Sequence, residues 1–284
     1  MKPNSFPRWA NLYLQFLKVP VKKPSFEYLS EICTAHLNLI PFENISKLLN
    51  YKHYQGTNKY IPDSEEFVDQ LFTKNMGGTC YAINHNLCKL LKTLGFSCRY
   101  ADLGKVHMAI LVRLPEYPDE EVYVDCGSAA PFFKPVRFET HPDDVTAFGG
   151  DKIFIQPEEE TGVYAFRRYV DGKLSKPVWT FNPGLTYHFS DFLPAIKQSY
   201  QPGQTFMKML RCQLWQLDKK RSVSLVNHTF KIRTQTGTVK QYQLSSVSEI
   251  RKVIDEEFSL PQLPVEEAIS VLNHLGINIF QREN

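Results

Sequence analysis

The stretch Tyr81-Ala82-Ile83-Asn84-His85-Asn86-Leu87-Cys88-Lys89-Leu90-Leu91-Lys92-Thr93-Leu94-Gly95 constrains this chain more than any other part of it. Ile83, Leu87, Leu90, Leu91 and Leu94 recur at the helical period and Gly95 ends the pattern, so the segment reads as a helix with one buried face. Gly77-Gly78-Thr79-Cys80 leads into it. Paired glycines permit a sharp turn. Cys80 then falls at the helix N-terminus, where unpaired N–H groups and the macrodipole favour an anion. Such a position suits a thiolate nucleophile. A lone cysteine is more often a small buried hydrophobe, so the motif needs partners.

Two partners follow in the chain. Val106-His107-Met108-Ala109-Ile110-Leu111-Val112-Arg113-Leu114 reads as a buried strand, residues 115–119 as a turn, and Val122-Tyr123-Val124-Asp125-Cys126 as a second strand ended by Gly127. A hairpin centred close to Glu116 sets His107 opposite or diagonal to Asp125 on one face, within reach of cross-strand contact. A slip of one residue would turn Asp125 away. With the register kept, His107 takes the thiol proton, Asp125 fixes the imidazole tautomer, and Cys80 attacks an acyl carbon. A strand histidine alone is ordinarily satisfied by a backbone carbonyl, and an aspartate alone is ordinarily a turn residue. The joint pattern carries the reading.

On these residues the chain resembles the arylamine N-acetyltransferase family. His36 leads into Ile40-Pro41-Phe42-Glu43-Asn44-Ile45, similar to the family's H…PFEN(L/I) signature. Met76-Gly77-Gly78-Thr79-Cys80 resembles its R-G-G-x-C motif, with Asn84 in the family's place, and the segments around His107 and Asp125 correspond to its histidine and aspartate strands. Three departures stand out. Met76 replaces the family's arginine, Ala82 replaces a Glu or Gln, and Gly127-Ser128-Ala129 replaces Gly-Phe-Gly. By resemblance the lost arginine would have partnered Glu43 and Asn44. A buried Glu43 without it is costly or becomes protonated.

The resemblance implies acetyl-CoA as co-substrate, with no tightly bound cofactor, and an arylamine, arylhydroxylamine or hydrazine as acceptor. Phe42, Gly104 and Val106 are the expected coenzyme-binding residues. The Cys80 amide and one near Val106 are the expected oxyanion donors. Phe42, Phe132 and Phe133 are offered as an aromatic acceptor slot, with core packing as the equal alternative. Also open are a cysteine hydrolase, an amide synthase with a different acyl donor, and a binding protein of the same fold weakened by Met76 and Ala82.

Residues 11–19, 25–38 and 64–74 read as helices, the last capped by Ser64. Residues 97–187 read mostly as strands, and residues 200–203 as a linker. Strands follow around 223–233 and 242–244, then helices at 249–257 and 265–275. The fold class is α+β. By resemblance it has a helical domain over 1–90, a β-barrel-like domain over 91–198 and an α/β lid over 199–284. A net charge of +3, spread through short runs such as Lys22-Lys23 and Lys219-Lys220-Arg221, is too diffuse for a nucleic-acid surface. No apolar run approaches the length of a membrane span. Six cysteines without ordered short spacing, and no apolar leader, point to the reducing cytoplasm. His85 and Cys88 lie a turn apart with no second pair nearby, so no metal site is expected.

Overall fold

The apolar periodicity of the first part of the chain produces α1 (Arg8–Leu17), α2 (Phe26–Leu39), the short strand β1 (Phe42–Glu43), α3 (Ile45–His53), α4 (Ser64–Lys74) and α5 (Cys80–Thr93). The computed structural model describes residues 6–54, 57 and 59–281. The cap of α4 is Asp63, whose Oδ1 accepts the Glu66 amide at 3.0 Å. Ser64, the expected cap, is instead inside the first turn and donates to Asn86 Oδ1 at 2.9 Å. The carboxylate serves the helix dipole better than the hydroxyl would.

The middle of the chain holds β2 (Ser97–Leu103), β3 (His107–Leu114), β4 (Tyr117–Val124), β5 (Thr146–Phe148), β6 (Asp151–Pro157), β7 (Tyr164–Val170), β8 (Lys173–Leu174), β9 (Trp179–Phe181) and the helix α6 (Phe189–Ser199). Among the described residues the middle strands do not close into a barrel. There are two open antiparallel sheets, β2-β3-β4 and β5-β6-β7-β8 with β9 on β7, and isolated bridges tie the first of them to residues outside both sheets, Tyr100 to Tyr187 and Tyr123 to Val136. After β4 the chain leaves the ladder for an irregular passage up to β5, so no described sheet closes on itself.

A 3-10 turn at Thr205–Met207 precedes β10 (Arg211–Gln216), β11 (Arg221–Val226), β12 (Thr229–Thr234) and β13 (Val239–Gln243), followed by α7 (Val247–Glu256) and α8 (Val265–His274). These four strands form a sheet whose edge is completed by β1, with Phe42 opposite Gln213 and Glu43 opposite Cys212. There are two apolar cores. One joins α1, α2, α4 and α5 to the middle sheets. The other lies under the C-terminal sheet and takes in Ile45, Leu48 and Met76 from the N-terminal part. Met76 belongs to one core and Cys80 to the other, so the turn between them lies on the seam.

Candidate active site

The seam makes glycine necessary at two successive positions. A Cβ on Gly77 would land on the Pro41 carbonyl oxygen. Gly78 has φ of +130°, a conformation that other residues rarely adopt. The Glu43 amide donates to the Gly78 carbonyl at 3.0 Å, tying the turn to β1. Cys80 then opens α5, buried but with 7% of its surface reachable. Thr79 is the N-cap and makes no side-chain cap bond, so no capping side chain competes for the first-turn amides.

The β3–β4 hairpin turns at Pro115-Glu116, and its register pairs Ile110 with Val124. Continued one step, that register puts Asp125 diagonal to His107 on the same face. His107 Nε2 donates to Asp125 Oδ2 at 2.8 Å. Cys80 lies close enough to the same ring to influence its charge. Cys80, His107 and Asp125 are therefore assembled as the sequence suggested. Burial opposes a charge on His107, but Asp125 and then Cys80 outweigh it and carry the imidazole up to about 10. Asp125 has no exposed surface. Besides His107 it accepts from Tyr123 Oη at 3.0 Å, Asn84 Nδ2 at 2.8 Å and the Gly127 amide at 3.0 Å. A buried carboxylate needs such a set of donors.

Asn84 is one turn beyond Cys80. It also donates to the Met108 carbonyl at 2.6 Å and accepts the Cys126 amide at 3.2 Å, locking α5 to β3 and to the segment that follows β4. The sequence marked it only by family likeness, though its i+4 spacing from Cys80 was visible. Gly127 has no room for a side chain, since a Cβ would stand 2.8 Å from Cys80 Cα. Trp179 was not foreseen. Its ring stacks on His107 at 4.6 Å and 7°, and no local pattern announces that contact across the fold.

The other expectations divide. Phe42 is beside the Gly77-Gly78 turn through its bridge to Gly78, and packs on Phe206. Gly104 and Val106 lie in the β2–β3 turn that leads into His107; Gly104 has φ of +63° with open space around it, and Val106 is 57% exposed. The Val106 amide itself donates to the Leu103 carbonyl at 3.3 Å. Phe132 is core, packed between Tyr123 and Phe166, and Phe133 packs on Phe148 and Trp215. His85 bonds Tyr100 Oη at 2.9 Å and Cys88 lies against Cys98.

Glu43 is buried with only part of its hydrogen-bonding capacity used. Its carboxyl is fully buried, Oε2 accepts the Ser46 amide at 2.8 Å, and Oε1 has no partner. Burial pushes its pKa from 4.5 up to about 7 against the bonds from Ser46, Ile45 and Gly77. Asn44 is committed elsewhere. It donates to the Phe206 and Met209 carbonyls at 2.8 and 2.6 Å and accepts the Arg211 amide at 2.7 Å.

A family model described as N-acetyltransferase matches residues 25–265. The curated arylamine N-acetyltransferase / N-hydroxyarylamine O-acetyltransferase of Salmonella typhimurium is 22% identical over 252 residues, 85% of this chain and 84% of that protein. The solved Salmonella typhimurium arylamine N-acetyltransferase superposes with a TM-score of 0.77 at 19% identity, over 95% of this chain and 99% of that one. The Mycobacterium marinum arylamine N-acetyltransferase in complex with CoA gives 0.75 at 18%, over 93% and 97%. By class this is an acetyltransferase. More narrowly, the chain belongs to the arylamine N-acetyltransferase family.

Proposed function

We propose that the protein moves an acetyl group from acetyl-CoA to an arylamine, arylhydroxylamine or hydrazine through an acyl-Cys80 intermediate. One observation carries the reading: buried Asp125 holds His107 beside a reachable thiol at a helix N-terminus. Cys80 attacks the thioester carbon, its Sγ–C bond forms, and the coenzyme's S–C bond breaks. His107 gives its proton to the departing coenzyme sulfur. The amine nitrogen then attacks the acyl carbon, the Sγ–C bond breaks, and the amine's proton passes to His107. The Cys80 amide, with its neighbours in the first turn, receives the developing oxyanion. Gly104 and Val106 flank the path of the coenzyme arm, and Phe42 lines the wall nearest the thiol. A reducing, cytoplasmic setting is in keeping with six cysteines that lack an ordered short spacing.

The coenzyme's phosphates suit a cavity of about 510 Å³ between β7 and β10–β12. Arg168, Arg211, His228, Lys231 and Arg233 line it, with Asp151 the one lining carboxylate. Arg168 pairs with Asp151 and Arg233 with Asp171. Among the described residues the Arg211 guanidinium bonds Gln213 Oε1 alone, at 2.6 Å; burial, with Arg168 beside it, pulls its pKa down to about 10. Gln213 and Arg168 both donate to the Ala129 carbonyl, so this wall abuts the loop that leaves Asp125. Arg211→Gln should raise KM for acetyl-CoA by about tenfold, one charged contact's worth. With p-nitrophenyl acetate, a donor without phosphates, KM should stay put. An equal rise for both donors would remove the phosphate from this cavity and leave the acyl-transfer reading intact.

A further inference from the structure

Of the six cysteines, the proposed acyl transfer uses only Cys80. Two of the others meet. Helix α5 ends at Thr93, and Gly95, with φ of +91°, reverses the chain. Its amide donates to the Lys92 carbonyl at 3.0 Å and the Phe96 amide to the Leu91 carbonyl at 3.0 Å. A glycine takes that left-handed turn without a steric penalty. Strand β2 therefore begins against the last turns of α5, and its second residue, Cys98, is set on Cys88. The two sulfurs are 3.6 Å apart, and Cys98 Sγ is also 3.6 Å from the Cys88 carbonyl oxygen. Cys88 has no exposed surface, whereas Cys98 is half-buried and opens the pair towards solvent.

We propose that Cys88 and Cys98 are a reversible oxidation site, joined as a disulfide by an oxidant of the peroxide class and separate from the acyl-transfer thiol. The sulfurs of a disulfide stand about 2.05 Å apart, so closure is an approach of roughly 1.5 Å. The Cys98 S–H donating to Cys88 holds the Cys88 thiol below the usual range, against its burial and helped by Lys92 one turn on. The same bond, with burial, pushes Cys98 up. The Cys88 sulfur is thus the one that attacks, since the thiolate is the nucleophile. Its S–O bond to a peroxide oxygen forms, the O–O bond breaks, and the departing hydroxide takes up the proton that Cys88 released. The Cys98 sulfur then attacks the sulfenic Cys88. The S–S bond forms, the S–O bond breaks, and hydroxide leaves as water with the Cys98 proton. The two thiols lose two electrons and one peroxide becomes two waters. Cys80 lies more than two turns earlier on α5, about 12 Å along the axis, too far to exchange with Cys88. The bond would staple the helix that carries Cys80 to the strand whose other end pairs Leu103 with His107.

The test treats the folded wild-type protein with hydrogen peroxide, blocks the remaining thiols with N-ethylmaleimide under denaturing conditions, and maps tryptic peptides without reduction. The expected product joins the peptide of residues 75–89 to that of residues 93–99, with two hydrogens lost. The first peptide holds Cys80 as well as Cys88, so fragmentation of the joined pair assigns the sulfur. A bond from Cys88 to Cys98 that dithiothreitol reverses, and that is absent in Cys98→Ala, is the result expected. Peroxide that leaves Cys88 and Cys98 open to N-ethylmaleimide overturns the proposal, as does a bond from Cys98 to Cys80. Protein with Cys80 already alkylated by iodoacetamide should form the same bond; a pair that stays open there shows that Cys80 takes part, and overturns the proposal too. No acyl donor enters the measurement, so it stands or falls apart from the acyl-transfer reading.

Discussion

Glu43, fully buried with a bare Oε1, couples the stability of the fold to pH. Its folded pKa of about 7 lies above the 4.5 of the free side chain. For a group raised in this way, stability is fully present below 4.5 and is lost as pH rises through 7. The span corresponds to at most about 3 kcal/mol. Glu43→Gln cannot ionise, so its stability relative to wild type should grow between pH 4.5 and 8. Urea denaturation of both proteins across that window checks it; a gap that stays constant would mean Glu43 finds a partner when charged. At this scale the sequence was most informative where chemistry is local. Cys80 at a helix start and His107 and Asp125 at fixed strand positions were legible from residue type and spacing. Tyr123 on Asp125, Trp179 on His107 and Ser199 against Lys47 were not, because those contacts arise only when separate elements meet.

Among the elements, the turn from α4 to α5 concentrates the constraint. Asn75 ends α4 in the left-handed region, Met76 sinks into the C-terminal core, and Gly77-Gly78 turns the chain onto Cys80. Met76→Arg would bring a charge toward the bare Glu43 Oε1, but into a space already filled by the apolar core that holds Ile45 and Leu48. Overpacking and desolvation should win, lowering stability by about 1–3 kcal/mol. Melting temperature and acyl-enzyme burst should fall together; a rise in both would show that the site still accepts the family's arginine. The strong amphipathic period of α5 and the turn residues of the β3–β4 hairpin made those elements readable. Helix α6 was missed because Pro194 and a strand-like approach at Tyr187 obscure it. Strand β10 was missed because Arg211, Gln213 and Gln216 break the apolar alternation, and these residues are committed to contacts outside their own strand or at its end.

For the whole molecule, the order of helical, strand-rich and mixed segments was legible, but the closure of the middle strands was not. Whether sheets close depends on pairings between distant strands, and here β4 has no ladder to β5. Nor did the sequence disclose that β1 crosses to the C-terminal sheet, which places the nucleophile turn between two cores. We read the three segments as cooperating units, with the acyl-transfer chemistry at their junction. That chemistry is tested most directly by the intact mass of the protein after brief exposure to acetyl-CoA without an amine, followed by peptide mapping. The account predicts one acetyl group, on Cys80, absent in Cys80→Ala and discharged when an arylamine is added. No adduct, or an adduct that persists in Cys80→Ala, would contradict it.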